Sequence, residues 1–172
     1  MKKIEKILAL LTPLGLVMKF LFIPGYSLLL IFPLMFLELI YFIFGFVLFN
    51  NISLTGIFKK ASYVDITPLK MLGSIVLGWS LSLVISGIIF KIQSYNGGAL
   101  QLISGLTTTL IILIVALIKR PKTKSQFYNA VFSRIIIIGG LGLILLFTPS
   151  ILFHKINYHD DPEYLEQLNS QN

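Results

Sequence analysis

Apolar residues run along this chain in five long blocks, at 4–22, 26–49, 69–90, 99–118 and 135–153, separated by short polar or charged stretches. Each block supplies about 20 mostly apolar residues, the length a helix needs to cross a bilayer. The first two blocks are divided only by Ile23-Pro24-Gly25, which predicts a tight helical hairpin. Proline ends the first helix and glycine permits the reversal. Ser94-Tyr95-Asn96-Gly97-Gly98 divides the third and fourth blocks in the same way, with a turn expected to be looser and more polar.

The two hairpins share a pattern. Gly15, Lys19 and Gly25 correspond to Gly87, Lys91 and Gly97, 72 residues further on, and the same offset pairs Leu28 with Leu100, Leu30 with Leu102, Ile31 with Ile103, Leu34 with Leu106 and Ile40 with Ile112. The apolar identities are weak, because such matches arise readily inside apolar runs. The lysine and the turn glycine weigh more: a lysine beside lipid is expensive, and a turn glycine meets a backbone requirement. A duplicated hairpin is the expectation, in keeping with the use of internal repeats in membrane folds.

Composition agrees with the blocks. Of 172 residues, 56% are hydrophobic and 12% charged, with a mean hydropathy of +0.89. A soluble domain carries about 25% charge. The reading is an all-α integral membrane protein of five transmembrane helices, two parallel hairpins plus a fifth helix, forming one membrane domain over 1–172. Its parts are hairpin 1 at about 4–49, a cytoplasmic loop at 50–68, hairpin 2 at about 69–118, the fifth span at about 135–153 and a polar tail at 154–172. Lys2, Lys3 and Lys6 precede an apolar run, as in a signal peptide, yet no small-x-small cleavage site follows, so a retained first helix is expected. The absence of cysteine removes disulfides, thiolate metal sites and cysteine nucleophiles.

Charge sets the orientation. Lys2, Lys3 and Lys6 at the N-terminus, Lys59, Lys60 and Lys70 after the second block, and Lys119, Arg120, Lys122, Lys124 and Arg134 after the fourth all fall on one side of a five-span arrangement. The other side has only Lys19, Lys91 and Lys155. By the positive-inside rule the N-terminus is cytoplasmic and the C-terminus periplasmic, in a bacterial inner membrane. The net charge of +7 therefore belongs to membrane-facing loops, whose partners are the lipid bilayer and its anionic headgroups; nucleic acid is not expected. The 50–68 loop mixes Ile52, Leu54, Ile57, Phe58 and Tyr63 with polar residues and suits either an interfacial segment or an ordinary loop.

Glu38 is the leading candidate for function. It falls roughly 18 Å down the second helix, close to the bilayer midplane, where burial of an ionisable group must be offset by a partner, water or protonation. Lys19, near the outer end of the first helix, is its candidate partner for an ion-pair or proton site, with snorkelling to the headgroups as the alternative. In the second hairpin Leu110 stands at the position of Glu38, so any carboxylate chemistry belongs to one copy. Thr107, Thr108 and Thr109 beside it are expected to bond back to helix carbonyls and face a neighbour. Ser74, Gly78, Ser82 and Ser86 place a small residue at every fourth position of the third helix, a packing face for which Gly139, Gly140 and Gly142 offer a matching surface. His154, His159, Asp160, Asp161 and Glu163 have no metal-motif spacing and read as a polar anchor, and Pro162 is placed to start a short helix at Glu163. No catalytic triad or phosphate-binding loop is present, so neither enzymatic activity nor a metal or cofactor is expected.

The run Gly15-Leu16-Val17-Met18-Lys19-Phe20-Leu21-Phe22-Ile23-Pro24-Gly25, leading to Glu38, resembles the two-helix hairpin of the L component of the Bacteroidota gliding and type IX secretion motor. It also resembles small multispan Bacteroidota membrane proteins with the same lysine-then-Pro-Gly turn, and the tail Tyr158-His159-Asp160-Asp161-Pro162-Glu163-Tyr164 is similar to theirs. The resemblance covers about the first 50 residues, the tail and, more faintly, 83–118. It implies a role in proton-driven torque for Glu38, with Lys19 as its partner. Five spans in place of two, and no long cytoplasmic domain, set this chain apart from the motor protein. Two functions follow as expectations: a structural or accessory component of a membrane complex, with membrane-protein partners or a homo-oligomer, or a small proton-coupled transporter or motor subunit using Glu38.

Overall fold

The computed structural model describes residues 2–64, 66–119 and 125–170, and within them every regular element is helical. The helices are α1 (Lys2–Phe20), α2 (Tyr26–Phe49), α3 (Pro68–Ile92), α4 (Gly98–Lys119), α5 (Gln126–Phe147), α6 (Ser150–Asn157) and α7 (Pro162–Ser170). Four of them, α2, α3, α4 and α5, are long and apolar enough to span a membrane. Helix α1 has the length, but it carries Lys2, Lys3, Glu5, Lys6 and Lys19 among 19 residues. The loop cations Arg120, Lys122 and Lys124 lie outside the described residues.

Local sequence explains the helix ends. Thr67 caps α3, its hydroxyl accepting from the Lys70 amide at 3.3 Å with Pro68 in the first turn. Asp161 does the same for α7, accepting from the Tyr164 amide at 3.0 Å ahead of Pro162. Between α2 and α3 the chain makes two 3₁₀ turns, Leu54–Gly56 and Lys60–Tyr63, with Tyr63 stacked on Phe46 and Phe58 fully exposed.

The turns after α1 and α3 have the same backbone. Phe22 and Ser94, 72 residues apart, take φ of 55° and 60°, and Gly25 and Gly97 take 86° and 90°. The Phe22 amide donates to the Lys19 carbonyl at 3.1 Å and the Ile23 amide to Met18 at 2.9 Å; Ser94 donates to Lys91 at 3.2 Å and Tyr95 to Phe90 at 2.8 Å. This is the six-to-one closure that ends a helix on a left-handed residue. The second turn is therefore as tight as the first, contrary to the expectation from its polar sequence, because backbone bonds and Gly97 set its shape. The helices then cross at equivalent points. A methyl group on Gly15 would lie 2.4 Å from the Leu30 amide nitrogen, and one on Gly87 would lie 2.9 Å from that of Leu102.

Helix α3 is the centre of the bundle, two-thirds buried, with Leu77, Leu81 and Val84 inaccessible. Helix α2 packs on one side of it, α4 on another, and α5 lies across α3 and α4. Helix α1 lies along α2. The small-residue face of α3 meets α2 and not the glycines of α5. Gly78 and Gly45 approach so closely that a methyl on Gly45 would sit 2.6 Å from the Gly78 Cα. Beside them Asn50 donates to the Ser74 hydroxyl at 2.9 Å, and Trp79 stacks on Phe42. Gly142 of α5 instead faces Val84 and Leu102, and Gly139 faces Leu106 and Thr109.

The fifth apolar block differs most from expectation. Its helix begins at Gln126 and breaks at Thr148-Pro149, where 135–153 was expected. Arg134 is a nearly buried helical residue and not a loop cation, held by Glu5 of α1. A π turn over Ile135–Gly139 follows it, separating the part of α5 that reaches α1 from the part whose glycines pack on α3 and α4.

Candidate functional site

Glu38 sits midway along α2, half-buried, with the Ser86 side chain of α3 close by. It shares a shallow groove with Met35, Leu39, Phe42 and Ser82, so two members of the small-residue face, Ser82 and Ser86, stand beside the carboxyl group. Leu110, its counterpart on α4, is exposed. Among the neighbouring threonines, Thr108 donates back to the Ser104 carbonyl at 3.0 Å and Thr109 donates across to the Ser80 hydroxyl at 3.1 Å.

Lys19 does not meet Glu38. Among the described residues Arg134 is paired with Glu5, and His159 Nε2 lies 3.1 Å from Asp160 Oδ1. Lys19 is 3% exposed; its Nζ donates to Asn157 Oδ1 and, at 3.3 Å, to Gln93 Oε1, and lies 4.6 Å from the centre of the Tyr26 ring. Two amide oxygens and an aromatic face thus replace water around the ammonium group. Asn157 completes the arrangement, its Nδ2 donating to the Ile92 carbonyl at 3.1 Å and the Ser94 hydroxyl at 2.7 Å. One side chain at the end of α6 therefore holds both turns, the first through Lys19 and the second through its backbone and Ser94. The tail adds to this closure: the His159 ring packs 3.9 Å from that of Phe22, and His154 Nδ1 lies 2.8 Å from the Tyr164 hydroxyl.

A second polar cluster lies toward the other end of the bundle. Arg134 binds Glu5 in a two-pronged pair, Nε to Oε1 at 2.7 Å and Nη2 to Oε2 at 2.6 Å, with both side chains nearly buried. The Tyr41 hydroxyl donates to Glu5 Oε1, Arg134 Nη1 donates to the Ala130 carbonyl at 3.2 Å, and the Phe49 ring lies 5.3 Å from the guanidinium carbon. Three helices, α1, α2 and α5, are fastened at this point by charge-assisted bonds of fixed geometry.

Neither cluster follows from local sequence motifs. Glu5 is the only acid ahead of Glu38, and Arg134 stands immediately before an apolar run. An acid and a guanidinium at the borders of separate apolar blocks are the signal that pairs them. Asn157 offers no such signal, since an asparagine in a polar tail has many uses.

The GldL N-terminal domain matches residues 76–137, roughly a third of the chain. The match begins within α3, passes the Gly97 turn and α4, and ends in the π turn of α5. It therefore falls on the second helix pair, with Gly87, Lys91 and Gly97, and not on the first hairpin, whose sequence carries the stronger resemblance. No curated protein and no solved structure matches the chain.

Proposed function

We propose that this chain is a non-enzymatic membrane component, structural or accessory, of a larger assembly of the gliding and secretion kind, made of two parallel copies of one helical hairpin and a fifth spanning helix. The observation that carries this reading is the use of its buried charge. Glu5, Arg134 and Lys19 are each held by side chains of other elements, so their bonds fasten helices together. The GldL match on residues 76–137 supports the kind of assembly. The equal backbones at Phe22 and Ser94, and at Gly25 and Gly97, support duplication. Internal matching of Glu5 and Lys19 lowers the penalty for placing α1 in lipid, which supports the fifth span. The N-terminus then faces the cytoplasm and the C-terminus the periplasm, with anionic lipids at the lysine-bearing loops and other membrane proteins, or further copies of the chain, as partners.

Capture of the tagged chain from native membranes after mild detergent extraction tests this reading. A stable stoichiometric partner, or a defined homo-oligomer, is expected; a monomer that brings down neither would sink it.

One observation favours a second reading, a proton-coupled transporter or motor subunit. Glu38 lies at mid-depth in an open groove with hydroxyls beside it, a setting in which a carboxyl group is able to exchange protons. Glu38→Gln separates the two. If glutamine leaves assembly intact and abolishes proton flux or cellular function, the second reading holds; a silent substitution leaves the structural one.

A further inference from the structure

A cavity of about 590 Å³ lies between α1 and α5, with α2 at its back. Its lining changes character with depth. At the end where the chain begins, Lys2 and Lys6, one turn apart on α1, share the lining with Gln126 and Asn129 of α5. Further in, the walls are Ala9, Leu37, Ile137 and Ile138. Between these zones the Glu5 carboxylate is occupied by Arg134 and Tyr41, so the lining offers the two lysines no other acid among the described residues. Helix α1 is packed along α2 and meets α5 through Glu5, which leaves the crevice beyond that contact without a covering helix among the described residues.

A cationic and amide-bearing mouth above an apolar slot matches one kind of molecule: an amphiphile with an anionic head. We propose that the crevice binds a single anionic glycerophospholipid. Lys2 and Lys6 take its phosphate, Gln126 and Asn129 supply hydrogen bonds to the headgroup, and one acyl chain lies against Ala9, Leu37, Ile137 and Ile138. The lysines supply charge attraction, which any basic surface provides; the slot supplies a place of defined size, which an exposed loop does not. The lipid fills the space that separates α1 from α5 and joins the first helix to the rest of the bundle beyond the Glu5 contact.

Native mass spectrometry of the purified full-length chain tests the assignment, titrating phosphatidylglycerol, phosphatidylcholine with the same acyl chains, and inorganic phosphate alone. One retained phosphatidylglycerol is expected, favoured over phosphatidylcholine by about tenfold or more, as two lysine contacts would give, with no phosphate adduct. The K2Q/K6Q double variant should bring the two lipids within about twofold of each other. K59Q/K60Q, which removes the same charge from the exposed loop after α2, should leave the preference unchanged. Both replace exposed lysines, so unchanged melting of the detergent-solubilised protein separates loss of binding from loss of fold. Filling the slot with Ala9→Trp should reduce retention of both lipids. An equal effect of K59Q/K60Q, equal binding of the two lipids, a phosphate adduct without lipid, or a second protein copy retained in place of lipid would each overturn the proposal.

Discussion

Arg134 and Glu5 show how much a single buried pair can commit a membrane bundle. A charge left alone here, with only about a tenth of its side chain exposed, is poorly solvated, so removal of one partner costs more than the pair contributes. Arg134→Leu alone should destabilise the chain by about 3–5 kcal/mol, and combination with Glu5→Leu should recover much of that loss. Thermal unfolding of the single and double variants in detergent reads the difference; additive losses would mean that the two side chains do not act as a pair. Asn157→Ala makes a different prediction. It deprives Lys19 of one acceptor and the second turn of two hydrogen bonds, for an expected loss of about 1–3 kcal/mol. Glutamine at 157 has the same amide but places it one methylene too far, and should rescue poorly. The lysine of the first turn was visible in the sequence as a costly residue that needed a partner. The partner was not, because an amide 138 positions away competes on equal terms with every other polar side chain until the fold selects it.

At the scale of elements, apolar block length identified four helices that the structure retains, since a span of about 20 residues is a requirement of bilayer thickness and not of packing. Block borders were less legible. The fifth helix was expected to start after Arg134 because an arginine reads as a loop residue; a carboxylate from α1 lets it remain inside. The small-residue face of α3 was readable as a packing surface, yet its partner depended on which helix lay alongside. That partner is α2, and the closest point is Gly45 against Gly78. Gly45→Leu therefore forces the backbones apart, with an expected cost of at least about 1–3 kcal/mol from overpacking. The same change at Gly73, where a side chain would meet open space, should cost far less. Equal melting shifts for the two variants would show that the α2–α3 crossing tolerates separation.

For the whole molecule, the number of crossings turns on α1. The native chain has no cysteine, so single cysteines at exposed sites report sidedness without background. Phe58→Cys and Tyr95→Cys should react with a membrane-impermeant maleimide from opposite sides, the second from outside intact spheroplasts. Lys3→Cys should behave like Phe58→Cys if α1 spans the membrane, and like Tyr95→Cys if α1 lies on the outer surface. Candidate chemistry was the least legible part. Glu38 stood out by depth alone, but depth does not say whether a carboxyl group meets a cation, a hydroxyl or an open groove. The structure gives it Ser86 and a groove, and turns the cations elsewhere.

The long reach of these contacts bears on how the chain is made. Glu5 waits for a residue 129 positions later, and Lys19 for one 138 positions later. At roughly 5–20 residues per second, synthesis takes on the order of ten seconds to supply those partners. Through that interval α1 carries an acid and a lysine that lipid disfavours and that lack the side chains which later hold them. The docking of α1 through these two side chains thus waits on α5 and α6, and the bundle closes only when its later helices are in place.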